Sequence, residues 1–547
     1  MTSEEDPGLS RSTAIATAGT AASRITGFIR LAAMVWALGV AETRLTDTYA
    51  LANTTPNIVY ELALSGVLSG VLLRVFIEVR EREGEQQAWL FITRLMKTSA
   101  LLLGGIAILG MLASPLVIRA YTFRATFEDA AAQQRIGSIL LIMFMPQIIF
   151  YSMNSIATAV LRAQRRFGVF MFAPVLNNLA VATMFLVFAI TVDRSQRSLS
   201  EIPTRGLLIL GIGTTIGVVL LGIVPWLHSR RTGRVWVRHA GFLDPHFRRL
   251  AKLSVFTVGY AAINQAGLWV SIVLANRIQG GVAARDVAFM FFQLPHGLLA
   301  VSISIVLGTS LTERAVAQDL KEFGKRFIFG LRGIAFVILP AIAGYMALAP
   351  EIVRLLLEHG VVTGRSTELI ASVLRGYAVG LFFFSGWYLM LGGFQGLGDM
   401  KTPMLINLAS FAVQTMLAVL LFSYFDDPVM KVTGVALAHA GSYLIASILG
   451  FRVIMRRSGS PPTRDLTSTL WKVGIGSGAT AATAWGLARV AESVFGTDTL
   501  MFQILQILLA VGGGLLIYFG IAKLLHLEEL SWISRIVRGR SQPPKPG

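Results

Sequence analysis

Residues 12–40 read STAIATAGTAASRITGFIRLAAMVWALGV, an apolar stretch that contains two arginines, Arg24 and Arg30. The stretch is long enough to cross a bilayer as one helix. A guanidinium near the bilayer centre costs about 3 kcal/mol on insertion scales, so such side chains normally face a bundle interior or a wet cavity. On a helix, both arginines fall on the half that carries the threonines, and Ile25 and Ile29 fall on the other half. The pattern predicts a membrane helix with one polar face.

Two interpretations of these arginines stay open. They can form an anion-binding site in a cavity, or they can pair with acids inside a closed bundle. The next span supports either, because it presents acidic and polar residues on one arc and contains Pro56, which should bend the helix. The predicted substrate-binding residues are Arg24, Arg30, Asp47, Asn57, Glu61 and Ser65.

The composition favours a multi-pass membrane protein. The 547 residues are 54% apolar and 14% charged, and the mean hydropathy is +0.65. The chain has no cysteine, which excludes disulfides, thiol nucleophiles and thiolate metal sites. The N-terminus is acidic, and we expect no cleavable signal peptide. The net charge of +18 is dispersed over loops, so it indicates membrane topology and argues against a nucleic-acid partner.

Hydropathy predicts an all-α fold with about fourteen spans. The basic loops fall on one side if both termini are cytoplasmic, as expected for a bacterial plasma-membrane protein. The predicted segments are a cytoplasmic N-terminal segment (1–11), an N-lobe of six spans (12–228), a basic cytoplasmic linker (229–249), a C-lobe of six spans (250–455), a cytoplasmic loop (456–468), two further spans (469–522) and a cytoplasmic tail (523–547).

The two lobes are predicted from a weak internal repeat. PNIVYELALSGVLSG, beginning at Pro56, aligns with PHGLLAVSISIVLGT, beginning at Pro295. The loops before Pro174 and Pro403 match at a similar offset, and an asparagine comes a few residues after each proline. Chance similarity between apolar helices is the alternative. Repeated bundles around a midplane site are typical of alternating-access transporters.

The sequence contains none of the common catalytic, nucleotide-binding or metal-binding motifs. There is no GxxxxGK[ST], HExxH or GxSxG element, and the seven histidines show no metal-ligand spacing. His296 is interpreted as a structural residue. The sequence therefore predicts no enzyme, no catalytic residue, no metal and no cofactor.

Several stretches resemble the MurJ/MviN family of lipid II flippases, within the multidrug/oligosaccharidyl-lipid/polysaccharide exporter superfamily. They are ASRITGFIR, TDTYALANTTPNIVYELALSGVLS, LRAQRRFGVFMFAPVLNN, FFQLPHGLLAVS and FQGLGDMKTP. The resemblance implies two facing six-helix lobes and a cationic cavity for the lipid II head group, a disaccharide-pentapeptide on a diphosphate. It also implies that helices 13 and 14 form a groove for the polyprenyl tail.

Under this resemblance, Arg24 and Arg30 match the two cavity arginines of the family, and Asp47 matches its acid at the start of the second helix. The chain departs from the family pattern elsewhere. Tyr60 and Glu61 stand where many members have two arginines, and Ser65 stands where they have glutamate. An arginine expected in the eighth helix is replaced by the stretch Phe289, Met290, Phe291 and Phe292. The resemblance therefore implies a less cationic cavity.

The resulting expectation is a flippase that moves lipid II from the cytoplasmic to the outer leaflet by alternating access. Its expected partners are this lipid-linked anionic substrate, membrane lipids and proteins of cell-wall synthesis. The alternatives are another exporter of the superfamily, for polysaccharide-lipids or drugs, and a membrane-embedded enzyme or non-catalytic scaffold of cell-wall synthesis.

Overall fold

In a computed structural model of the protein, every regular element of the described residues is helical. The described residues are 7–68, 70–123, 127–164, 166–230, 245–459, 464–496 and 499–531. The helices up to the middle of the chain are α1 (Pro7–Leu38), α2 (Leu45–Leu68), α3 (Gly70–Glu83), α4 (Glu85–Leu112), α5 (Ser114–Tyr121), α6 (Ala130–Phe144), α7 (Gln147–Ala163), α8 (Phe167–Thr191), α9 (Thr204–Arg230) and α10 (Pro245–Ala275). The remaining helices are α11 (Gly281–Pro295), α12 (Val301–Val316), α13 (Leu320–Leu357), α14 (Gly364–Ala378), α15 (Leu381–Gly396), α16 (Lys401–Tyr424), α17 (Pro428–Ser458), α18 (Arg464–Phe495) and α19 (Leu500–Leu524).

The predicted all-α membrane fold is confirmed, but the count of about fourteen spans is not. Among the described residues, eleven helices are long and apolar enough to cross a membrane. The number is twelve if α14 and α15, which meet at 49°, form one broken span. Neither α2 nor α18 is among them. The hydropathy of α2 is lowered by its Asn, Thr, Pro and Glu residues. The hydropathy of α18 is lowered by its Gly, Thr and Arg residues.

Pro56 lies inside α2, and the helix continues on both sides of the proline. The side-chain amide of Asn57 donates to the carbonyl oxygen of Asn53 at 3.0 Å. A proline removes the backbone donor that would bond the carbonyl oxygen four residues earlier, and the Asn57 side chain adds a donor at the neighbouring carbonyl oxygen. The corresponding proline of the second half, Pro295, ends α11 and is followed by a π-helical turn, His296–Ala300.

The first compact unit comprises Met1–Ala283 and His359–Val362. In it, α1 packs on α8, α8 packs on α9, and α7 packs on α9. The approach of α9 to α7 requires glycine: a Cβ at Gly222 would lie 2.5 Å from the carbonyl oxygen of Phe150. Helix α10 packs against α2 in this unit, although the sequence groups it with the C-lobe. Most of the predicted 229–249 linker lies outside the described residues, and the lobe limits stay a prediction.

The second compact unit comprises Ala284–Glu358 and Thr363–Gly547. Its longest helix, α13, packs against α12, α14 and α15. Helices α18 and α19 pack on each other and on α13. Arg332 of α13 pairs with Glu529 at 2.7 Å and with Glu528 at 2.8 Å, and Glu529 is only 1% exposed. This network fixes the chain just after α19 to α13.

The internal repeat agrees with the order of contacts inside each unit. Three pairs of consecutive spans that contact each other in the first unit have counterparts in the second. They are α8 and α9 with α16 and α17, α4 and α7 with α13 and α14, and α3 and α4 with α12 and α13. These regularities support the two-half prediction.

The loop between α15 and α16 contains the GLGDMKTP element of the sequence. Asp399 accepts from the Thr402 backbone amide at 2.9 Å and pairs with Arg457 at 2.7 Å. Burial raises the pKa of Asp399, but the hydrogen bonds from Thr402 and the charge of Arg457 outweigh burial and hold this pKa below its ordinary value. The element therefore joins the start of α16 to the end of α17.

Candidate functional site

The rotation of α1 is set by a polar contact with α8. The side-chain amide of Asn178 donates to the backbone oxygen of Ser23 at 3.1 Å and to the hydroxyl of Thr26 at 3.2 Å. One turn further back, a Cβ at Gly19 would lie 2.7 Å from the Cβ of Met171. Close backbone approach and a buried amide leave α1 little freedom to turn. The direction in which its arginines project is therefore fixed.

Arg24 is exposed and Arg30 is half-buried. Within the described part of the chain, neither guanidinium forms an ion pair with an acid. Arg30 lies close enough to the hydroxyl groups of Tyr49 and Tyr151 to interact with them electrostatically. Of the two interpretations of the arginines, this arrangement favours the anion site over the closed ion pair. The assignment of both arginines to the substrate stays a prediction.

The structure places Asp47 at the start of α11, and its predicted role in substrate binding stays a prediction. This residue is 0% exposed, and its carboxylate accepts from the backbone amides of Gly280 at 2.7 Å and Ala283 at 3.0 Å. A carboxylate at a helix N-terminus satisfies unpaired N–H groups and complements the helix dipole. Asp47 therefore holds the start of α11, and no carboxylate oxygen is left facing a substrate in this conformation. Arg44, three residues earlier, donates to the carbonyl oxygen of Asn276 at 3.0 Å in the same region.

The other three predicted residues lie further along α2. Asn57 is half-buried and its amide is engaged with Asn53, as described above. Glu61 is exposed. Ser65 lies in α2, in the part of the helix whose side chains the structure does not describe. The role of these three residues in substrate binding is untested by the geometry.

Sequence reasoning missed a polar network between α2, α7 and α9. Tyr49 and Thr214 share a hydrogen bond of 2.8 Å, and Gln147 donates to Thr215 at 3.0 Å. The Tyr151 hydroxyl donates to the side chain of Gln147 at 3.4 Å. The signal was present in the sequence, since Gln, Tyr, Asn and Ser interrupt the apolar run QIIFYSMNSIA. Polar side chains at such positions are expected to face a bundle interior.

The sequence also missed an arginine in the eighth span. Arg285 of α11 is 8% exposed and pairs with Asp286 at 2.5 Å. Tyr377 of α14 lies beside this pair. The stretch 289–292 contains no arginine. Its Phe289 and Phe292 pack in an aromatic cluster with Tyr377 and His439. The eighth span therefore does contain an arginine, but Arg285 lies near the start of the helix and its charge is neutralised by Asp286.

An apolar groove of about 360 Å³ lies among α13, α18 and α19 in the second unit. Its lining includes Phe336, Pro340, Ala510, Leu515 and Phe519. The hydroxyl of Tyr518, the bulkiest polar group there, donates to the backbone oxygen of Phe336 at 2.6 Å. With that hydroxyl satisfied inside the protein, the groove presents an apolar surface suited to hydrocarbon. Among the described residues, no cluster of His, Asp and Glu could hold a metal ion.

A many-span helical protein with an apolar groove, and with arginines on one helix face that have no acidic partner among the described residues, has the features of a membrane transporter. Comparison with known proteins specifies the class. The family model "Lipid II flippase MurJ" matches residues 34–505, so this chain belongs to the MurJ family of lipid II flippases. The family is named for a transport activity.

Individual relatives agree with this assignment. The chain is 26% identical to "Probable lipid II flippase MurJ" of Rhizobium tropici, over 80% of this chain and 79% of the relative. It is 25% identical to the protein of the same description from Rhizobium meliloti (strain 1021), over 95% and 94%. The structure of "Lipid II flippase MurJ, inward closed conformation" matches with a TM-score of 0.72, 21% identity and coverage of 93% of this chain and 98% of that one. An inward-facing multidrug resistance MATE transporter matches with a TM-score of 0.64, 14% identity and coverage of 79% and 94%. These structural matches establish the fold.

Proposed function

We propose that this protein moves lipid II, the lipid-linked peptidoglycan precursor, from the cytoplasmic to the outer leaflet by alternating access. The observation that carries the proposal is the pair Arg24 and Arg30, which project from a rotationally fixed helix without acidic partners among the described residues. A diphosphate offers planar arrays of oxygen atoms that guanidinium groups bind through two charge-assisted hydrogen bonds at once. The head group of lipid II carries such a diphosphate.

The apolar groove supports the lipid-linked nature of the substrate. A polyprenyl chain needs a continuous hydrocarbon surface beside the path of its head group, since exposing it to water costs about 0.8 kcal/mol per CH₂. The groove between α13, α18 and α19 provides such a surface, and Arg332 with Glu529 fixes one end of it. We infer that the polyprenyl tail binds in this groove.

The direction of transport follows from charge. The substrate is anionic and the cell interior is negative, so outward movement is favoured by about 2.3 kcal/mol per charge per 100 mV. A membrane potential alone can therefore drive the net flux, without an enzymatic step.

We further propose that both termini lie in the cytoplasm of a bacterial cell and that the protein is embedded in the plasma membrane. The predicted topology places Arg124 and Arg197 outside the cell and Arg82 and Arg234 inside it, and Arg124 and Arg234 lie outside the described residues. Arg197 is 6% exposed and donates to the backbone oxygen of Ala37 at 2.8 Å, so it is unsuitable for labelling. Exposed Ser195, which lies near Arg197, and exposed Arg82 are therefore the labelling sites. Because the chain has no cysteine, Ser195→Cys should react with an impermeant thiol reagent in intact cells and Arg82→Cys should not; the opposite pattern would reverse the orientation.

A reconstituted translocation assay tests the substrate. Proteoliposomes should move lipid II faster than lipid-linked polysaccharide precursors or a cationic drug. Preference for either of the latter would support the alternative exporter function. No movement of any of them, combined with binding of cell-wall synthesis proteins, would support the scaffold alternative.

A further inference from the structure

Two tyrosines of the first unit, Tyr60 on α2 and Tyr151 on α7, form a feature that the diphosphate site does not use. We call them the tyrosine pair. Their ring centroids lie 5.4 Å apart and their planes are inclined by 42°. Both side chains are half-buried, so each keeps part of its surface accessible. An aromatic pair inside a transporter bundle, with part of each residue accessible, is a surface on which a ligand can pack.

The hydroxyl groups of the tyrosine pair are held by the protein. The Tyr60 hydroxyl shares a hydrogen bond with the hydroxyl of Ser155. The Tyr151 hydroxyl donates to Gln147 at 3.4 Å and also interacts with the side chain of Asn57. These contacts fix the rings in place, and a rigid platform loses little entropy when a ligand binds.

The charges beside the tyrosine pair differ at its two ends. Arg30 interacts electrostatically with the Tyr151 hydroxyl, and Glu61 follows Tyr60 on α2, exposed. A second phosphate placed at the Glu61 end would be repelled. A neutral group with hydroxyl donors would gain hydrogen bonds to this carboxylate, which accepts and does not donate. The electrostatics therefore select an anionic group at the Arg30 end and a neutral, hydroxyl-rich group along the rings.

We propose that the tyrosine pair is a binding subsite for the sugar rings of the lipid-linked substrate, next to the diphosphate contact of Arg30. The C–H groups on one face of a pyranose carry partial positive charge, which complements the negative face of an aromatic ring. The sugar hydroxyl groups at its edge are donors for Glu61. In this chain the subsite supplies specificity through ring packing. The inference rests on the proposed function, because it assumes that Arg30 holds the diphosphate.

The test compares two probes on the full-length protein in nanodiscs, lipid II and the polyprenyl diphosphate with the same tail but no sugar or peptide. Binding is measured by native mass spectrometry or ligand titration. Tyr60→Leu and Tyr151→Leu should each weaken lipid II binding about tenfold, or about 1.4 kcal/mol, as expected for loss of an aromatic anchor. Affinity for the polyprenyl diphosphate should be unchanged. Tyr424→Leu, which removes a tyrosine that is 79% exposed at the end of α16, is the matched control.

A lipid-linked disaccharide without the peptide separates sugar from peptide recognition. The tyrosine variants should weaken this probe as much as lipid II. The inference is overturned if they weaken only the probe that carries the peptide, if they weaken both diphosphate probes equally, or if they weaken neither. If one leucine variant does not fold, the other decides. Failure of the proposed function is distinct, because the unmodified protein would then bind neither lipid II nor the polyprenyl diphosphate.

Discussion

Replacing Asp47 by alanine tests whether this residue anchors α11 or contacts the substrate. Its carboxylate is 0% exposed and accepts from two backbone amides, at 2.7 Å and 3.0 Å. Loss of the acceptor leaves two buried N–H groups without partners, at about 1 to 3 kcal/mol each. The favourable interaction with the helix N-terminus, up to about 2 kcal/mol, is lost as well. Removal of a buried charge offsets part of this cost, so we expect a net loss of about 2 to 4 kcal/mol in the free energy of unfolding.

The assay is thermal and denaturant unfolding in one detergent, followed by binding of the polyprenyl diphosphate to the folded fraction. Asp47→Asn should lose roughly half as much stability, because its one carbonyl oxygen can accept only part of the hydrogen bonding. Glu61→Ala, which removes an exposed acid of the same helix, should stay within about 0.5 kcal/mol of the unmodified protein. If Asp47→Ala were as stable as the unmodified protein and had lost ligand binding, Asp47 would contact the substrate and our assignment would be wrong.

Three further predictions concern stability. Arg332→Ala should lose about 3 to 5 kcal/mol on unfolding, because Glu529 would remain buried without its partner; an unchanged melting temperature would contradict this. The stability contributed by Asp399 is present above its ordinary pKa and is lost as the pH falls through the lowered pKa of the folded state. Melting curves at a series of pH values below about 5 should therefore show a smaller acid loss in Asp399→Asn, and equal curves would refute the ion pair. Gly222→Ala should cost about 1 to 3 kcal/mol through overpacking, whereas Gly478→Ala, where a Cβ meets open space, should not destabilise the protein.

The sequence was sufficient to predict the all-helical membrane fold and the family. Each of these rests on local patterns, such as charge inside an apolar span. The partner of Asp47 could not be predicted, since it is a pair of backbone amides more than two hundred residues away in the chain. Backbone groups carry no signature in the amino-acid sequence.

Other differences also arise from tertiary packing. Arg285 precedes the apolar core of its span, so a hydropathy reading assigns it to the preceding loop, yet folding buries it beside Asp286. The contact of α10 with α2 is a tertiary preference that no repeat alignment can reveal. The proximity of Tyr60 to Tyr151 likewise depends on the packing of α2 on α7.

The measurement that bears most directly on the account is lipid II translocation by proteoliposomes containing Arg30→Ala. We expect the variant to lose translocation and diphosphate binding while its melting temperature stays close to that of the unmodified protein, because Arg30 is half-buried and has no acidic partner in the described chain. Arg119→Ala, at an exposed position near the end of α5, should translocate normally. Full translocation by Arg30→Ala would contradict the diphosphate site, and a strongly lowered melting temperature would indicate a structural ion pair instead.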